Sequence, residues 1–193
     1  MAWAKLGTTT LTSSADTITV SDMTVTKFKT LLAHTLDTGG EIYQGLRFNS
    51  DTTNDYAVRK SYNGGADATF TSVTQMQFMG NAFLADIFGV GYLVDINGEE
   101  KLFIGFSVSE NAAGASTAPT REEQADKYIE GADITAFNLN NTSAGDYNTN
   151  SNLSALGGDV TETVTLQNGT IFEETDTNKA YIWNSSTKTW TQL

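Results

Sequence analysis

The chain is 193 residues long, enough for one sizeable core with a small appendage and too short for two full domains. Lys and Arg number 11 against 23 Asp and Glu, a formal net charge of −12 with no basic cluster, which excludes a surface built to hold nucleic-acid phosphates directly. Cysteine is absent and His34 is the single histidine, so structural disulfides, thiolate nucleophiles and Cys-ligated zinc are excluded as well.

Charged residues make up only 18% of the sequence, and Thr, Ser and Asn supply most of its polarity. Thr is β-branched and suits a pleated surface. With one proline and 17 glycines, turns fall to Gly, Asn and Asp, which tolerate positive φ or bond their own backbone. The opening Met1–Gly7 lacks the apolar stretch of a secretory signal, and no later apolar run approaches the ~18 residues that span a bilayer. The expectation is a soluble chain with no membrane partner.

In chain order, the dominant signal is period-two alternation, which puts apolar side chains on one face of a strand and polar ones on the other. Ile18 and Val20 open it, followed by Phe28, Leu32 and Leu36 with His34 in the same register, then Ile42, Leu46 and Phe48. Tyr56 and Val58 continue, and Phe70, Met76 and Phe78 lie beyond a turn signal at Asn63-Gly64-Gly65. The clearest element is a hairpin in which Phe88, Val90, Tyr92, Val94 and Ile96 alternate up to Asn97-Gly98, and Leu102, Ile104, Phe106 and Val108 alternate away. Asn-Gly is the preferred type I′ pair, because both central positions need positive φ.

Residues 111–119 have small side chains and no periodicity, and read as a long exposed loop. Thr120 to Glu123 fits a capping box for a short helix, yet Tyr128 and Ile129 equally fit a strand, and local rules do not decide. Ile134, Phe137 and Leu139 mark another strand, residues 138–152 an Asn/Ser/Gly-rich connection, and Leu153–Leu156 a short strand before Gly157-Gly158. The pattern then changes to a linker-like strand over 160–166 and a meander through 168–172, 179–183 and 189–190, with turns at 176–178 and 184–186.

Many short strands with turn signals between them predict an all-β fold. The expected architecture is a single jelly-roll-like antiparallel β-sandwich of about eight strands over residues 1–158, with a small C-terminal β-meander over 159–193 for assembly contacts. A meander of that size buries too little to be stable alone. Phe172, Tyr181, Trp183 and Trp190 are therefore expected to pack on something else, such as a neighbouring copy, and Trp3 joins them as a candidate contact residue.

The opening Trp3–Leu11 with Asp16–Val20, and then Gly45–Asn49, Tyr56–Arg59, Asn63-Gly64, Glu100–Leu102, Pro119–Arg121 and Ala144–Asp146, resembles in its order of pieces the virion structural proteins of marine tailed phages and environmental viruses. Separately, Gly169–Trp183 with Trp190 resembles the short aromatic module at the ends of many phage structural proteins, an adhesive or assembly element in those relatives.

Candidate chemistry is sparse. His34 reads as a half-buried strand histidine with no nucleophile or second base beside it. Asp51, Asn54 and Asp55, and Asp146 with Asn148, Asn150 and Asn152, carry oxygen ligands suited to Ca²⁺ but lack EF-hand spacing, and turn chemistry accounts for them. Glu173, Glu174 and Asp176 read as solvated turn acids rather than a glycosidase pair. Gly89-Val90-Gly91 fits no nucleotide-binding spacing and marks a close backbone approach within a strand. Tyr181, Trp183 and Trp190 could stack on a glycan, although packing is the simpler use. No catalytic, cofactor or metal residues are assigned.

The resemblance then implies a non-enzymatic virion component assembled in a host cytoplasm, whose partners are copies of itself and other capsid or tail proteins. A capsid decoration, cement or vertex subunit comes first, a tail or fibre module binding host-surface glycan second. A main jelly-roll capsid protein ranks lower, because the N-terminus lacks a basic arm.

Overall fold

The structure is a computed structural model that describes residues 3–78, 86–110, 114–159, 167–174, 177–187 and 189–193. It divides into two compact units, Ala2–Val160 and Thr161–Leu193. The described residues form strands and turns without a helix, and every strand pairing is antiparallel.

In the first unit the strands are β1 (Ala4–Thr10), β2 (Thr17–Val20), β3 (Phe28–Thr35), β4 (Gln44–Phe48), β5 (Tyr56–Tyr62), β6 (Ala68–Val73), β7 (Ile87–Val94), β8 (Lys101–Ser109), β9 (Thr120–Tyr128), β10 (Phe137–Asn141) and β11 (Asn152–Gly158). Eight of them make one sheet in the order β1-β11-β3-β7-β8-β9-β5-β6, and β2-β10-β4 make a second. The arrangement is sandwich-like: Phe48 of the small sheet lies 6.2 Å from Phe103 and 5.6 Å from Tyr128 of the large one, ring centre to ring centre. Tyr56 stacks on Tyr128 at 4.7 Å, and its hydroxyl accepts the Phe48 N–H at 3.0 Å. Ile18, Val20, Leu46, Phe137 and Leu139 complete the small sheet's contribution to the core.

The alternation in the sequence located β3, β7 and β8, but the side it marks as apolar is the one turned outward. Phe88, Tyr92, Leu102, Ile104, Phe106 and Val108 lie on the outer face, 44–58% exposed. Facing inward instead are Ile87, Gly89, Gly91 and Leu93 on β7, and Lys101, Phe103, Gly105, Ser107 and Ser109 on β8. Most of these are small for a reason of space. A Cβ on Gly91 would overlap the Phe103 ring, and one on Gly105 would come within 2.9 Å of that ring and 3.0 Å of Phe78. The close approach expected of the Gly89–Gly91 stretch is thus realised at Gly91.

Two local expectations are corrected, and one segment that local rules do not decide is a strand. The β7–β8 turn is not type I′: Gly98 has φ +83° while Asn97 stays at negative φ, and Glu99 N–H bonds Ile96 C=O at 3.1 Å, a type II pattern. A true I′ pair occurs at Asn63 and Gly64, both at positive φ, with Gly65 N–H bonding Tyr62 C=O at 2.8 Å. His34 is exposed on the outer face rather than half-buried, because the inward register of β3 is taken by Lys29, Leu31, Ala33 and Thr35. The segment left open at 120–129 is strand β9, with Thr120, Glu122, Gln124, Asp126 and Tyr128 turned inward.

The second unit is the meander β12 (Ile171–Glu174), β13 (Lys179–Asn184) and β14 (Thr189–Gln192), in that order. Asn184 Oδ1 closes its last turn by accepting the Ser186 N–H at 3.0 Å. The linker-like strand expected over 160–166, the start of the 111–119 loop and Asp176 lie outside the described residues; Gly114 to Pro119 of that loop are exposed.

Candidate interaction surfaces

The meander's register puts its aromatic residues on one face. Phe172 pairs across from Tyr181 and Trp183 from Trp190, and Tyr181 and Trp183 are two residues apart on one strand. Ring centres lie 6.4 Å apart for Phe172–Tyr181, 6.1 Å for Phe172–Trp190 and 5.3 Å for Trp183–Trp190. Four of the five candidate contact residues are therefore brought together, and Phe172 and Trp190 remain 51% and 40% exposed. Trp3 belongs to the first unit, just before the sheet-edge strand β1, and is 46% exposed.

Glu174 shares the aromatic face and accepts the Thr177 hydroxyl, whereas Glu173 points to the opposite face with Ile171 and Ile182. Neighbouring strand residues cannot act as a carboxylate pair across one cleft, so the geometry needed for glycosidic cleavage is not formed by these two.

Of the other acidic clusters, the one at Asp51 caps a turn. Asp51 Oδ1 accepts the Thr53 N–H at 2.8 Å and the Thr53 hydroxyl at 2.5 Å. Asp146 is held above the ordinary carboxylate range by its hydrogen bond to the Asp16 carboxyl. Among the described residues no group of three His, Asp or Glu side chains is placed to hold a metal ion.

Interior charge is arranged to hold segments together. Lys60 pairs with Glu122 at 3.2 Å, both nearly sealed from solvent. Asp126, beside them on β9, has its carboxyl pushed up to about 7, first by burial and then by the Glu122 charge, while the Gln124 amide bonded to it and the Lys60 charge pull the other way. These groups face the core rather than a cleft, so they form no catalytic constellation open to substrate.

The surface that sequence reasoning did not single out is the outer face of β7 and β8. A signal for it was present: the residues alternating with the large apolar ones are mostly Gly and Ser, not charged, so the opposite register was never a solvated face. Beside the apolar stripe, β9 turns Arg121, Glu123, Ala125 and Lys127 outward. Shallow hollows lie along this flank, one between Phe88, Val90, Phe106 and Arg121 and another between Ala57, Leu102, Ala125 and Lys127. No protein-family model, curated protein or solved structure matches the chain.

Proposed function

We propose that this chain is a structural subunit of a phage particle: a jelly-roll-like block that catalyses nothing and works through repeated contacts with copies of itself and with other virion proteins. Within that class it is a decoration, cement or vertex-associated subunit on the head. The observation that carries the reading is the position of its large apolar side chains, held outward on the β7–β8 face and on the aromatic face of the meander. Exposed apolar surfaces of this extent mark interaction sites, and buried aromatics are the usual anchors of protein contacts. Repetition over a shell then makes individually modest contacts collectively strong. The resemblance of residues 3–157 to phage virion proteins supports the same class.

The test is mass spectrometry of purified particles of the virus that encodes the chain, followed by cryo-electron microscopy with Trp3, Trp183 and Trp190 as side-chain markers. Recovery in fixed multi-copy proportion to the shell protein, with density on the head, is the expected result. Complete particles that lack the chain would overturn the proposal.

A second reading, a tail or fibre module for host-surface glycan, is favoured by one feature: Glu174 lines the same shallow groove as Phe172, Tyr181 and Trp190. Rings that stack on a sugar face beside a carboxylate that accepts its hydroxyls are a workable glycan site. Retention on a glycan array, lost in Trp190→Ala, is its expected outcome, and absence of retention removes it.

A further inference from the structure

We propose that the outer face of β7 and β8 is where two copies of this chain meet, sheet face to sheet face, in an isologous dimer. The inference deepens the assembly reading above and rests on it for the identity of the partner as a second copy.

The area fits. Six large apolar residues, Phe88, Tyr92, Leu102, Ile104, Phe106 and Val108, are 44–58% exposed. At side-chain surfaces on the order of 150–200 Å² each, they present about 500 Å², to which the half-buried Val90 and Val94 add. That lies in the upper part of the roughly 300–600 Å² that the largest apolar patch of a monomer reaches, and a stable interface takes about 800 Å² from each partner, its polar rim included. The stripe therefore supplies an apolar centre of the size a dimer needs, with the β9 flank and Leu32 of β3 available as rim.

The shape fits a two-fold as well. Gly91 and Gly105 are direct partners at the middle of the hairpin, and the outward residues are arranged about them. A two-fold axis in the plane of the sheet and perpendicular to the strands places Val90 over the other copy's Tyr92, Ile104 over Phe106, and Phe88 over Val94. Each of these three sets a smaller side chain against an aromatic one, which is what interdigitating faces require, and the same axis sets Leu102 over Val108.

Charge sits at both ends of the face and along its flank, and the orientation rests on the shape fit. Asp86 and Glu110, joined by a backbone hydrogen bond of 3.0 Å, close the end beyond Phe88 and Val108, where Arg121 lies across from Val108. Glu99 and Glu100 close the other end, where Lys127, across from Leu102, pairs with Glu100 at 3.2 Å. Along the flank Arg59 pairs with Asp67 at 3.0 Å.

Sedimentation velocity on the full chain, from about 1 to 100 µM, tests this without any virus particle. The expected result is a two-chain species that grows with concentration, and a single-chain species at every concentration for Ile104→Glu/Phe106→Glu with an unchanged far-UV spectrum. Tyr92→Glu, on the neighbouring strand, provides a second disruption should the double variant fold poorly. Because the chain has no cysteine, a mixture of Val90→Cys and Tyr92→Cys chains should form a mixed disulfide dimer faster than either alone. A wild-type chain that stays single at 100 µM overturns the inference, as does a two-chain species that survives these substitutions or is lost only in Trp190→Ala. A dimer formed by a chain that is absent from particles would leave this inference standing and remove the virion reading.

Discussion

Lys29 and Asp95 form an ion pair at 2.5 Å with both side chains fully sealed from solvent. Lys101 lies 3.4 Å from the second carboxylate oxygen, an electrostatic contact rather than a hydrogen bond, and is equally buried. Lys29 also donates to Thr26 C=O at 2.9 Å, Lys101 to Ile96 and Gly131 C=O at 2.6 and 3.0 Å, and the Ile134 N–H to Asp95 at 2.9 Å. One carboxylate thus ties the approach to β3, the β7–β8 turn and the approach to β10. Removing one member of a buried pair leaves an uncompensated charge, which costs more than the pair itself contributes. Asp95→Ala, which abandons two ammonium groups, is expected to destabilise the first unit by about 3–5 kcal/mol, and Lys101→Met by less because Lys29 keeps its partner. Urea unfolding of the full chain checks this, and equal losses from the two variants would contradict it.

Asp126 makes stability depend on pH in the less common direction for a carboxylate. Its folded pKa is raised to about 7 from an ordinary value of 3.8, chiefly by burial, so the fold prefers the proton. The stabilising contribution is complete below pH ~4, where folded and unfolded chains are both protonated, and is lost progressively as pH rises toward ~7. At roughly 1.4 kcal/mol per unit, the loss is on the order of 4 kcal/mol by pH 8. Asp126→Asn keeps an acceptor for the Gln124 amide and carries no charge. It should match the wild type near pH 4 and exceed it at pH 8, as read by urea midpoints at the two pH values; a variant weaker at pH 8 would show that ionised Asp126 is well accommodated.

Phe103 occupies the space that Gly91 leaves open. Adding a methyl group at Gly91 drives it into the ring, with Leu31 also 3.4 Å away. Overpacking of this kind costs about 1–3 kcal/mol. Gly91→Ala should lower the thermal midpoint, and Phe103→Leu in the same chain should return part of the loss, giving a non-additive double-mutant cycle. Strictly additive effects would mean that the clash is relieved elsewhere.

These three sites show where the sequence is readable and where it is not. The positions of β7 and β8 followed from alternation, because both keep their period of two without interruption. Facing did not follow, because period two states only that alternate residues differ. At β7 and β8 the apolar register was assigned outward by the volume of Phe103 and Phe78, which depends on contacts distant in sequence. β9 was unreadable for a related reason: its inward residues Glu122, Gln124 and Asp126 carry no apolar signal, and the Glu122 charge is met by Lys60, which is distant in sequence. The meander was the easiest part, since its pairings join residues close in the chain, and the shared face of Phe172, Tyr181, Trp183 and Trp190 followed from short turns.

That aromatic face also yields a prediction confined to the meander. Trp183 and Trp190 are direct cross-strand partners with ring centres 5.3 Å apart, and Phe172 reaches Trp190 from the far strand at 6.1 Å. Trp190 is thus the residue through which all three strands share one apolar surface. Aromatic pairs of this geometry add about 0.5–1.5 kcal/mol beyond area burial, and a sheet of three short strands has little more than that in reserve. Trp190→Ala should therefore melt the meander locally, with the Trp183 indole N–H resonance moving to a random-coil position and the β12–β14 amides losing exchange protection. Trp190→Phe should retain most of the structure, because a ring still bridges Phe172 and Trp183. A dispersed Trp183 resonance in Trp190→Ala would instead assign the unit's stability to its turns, chiefly the Asn184 cap.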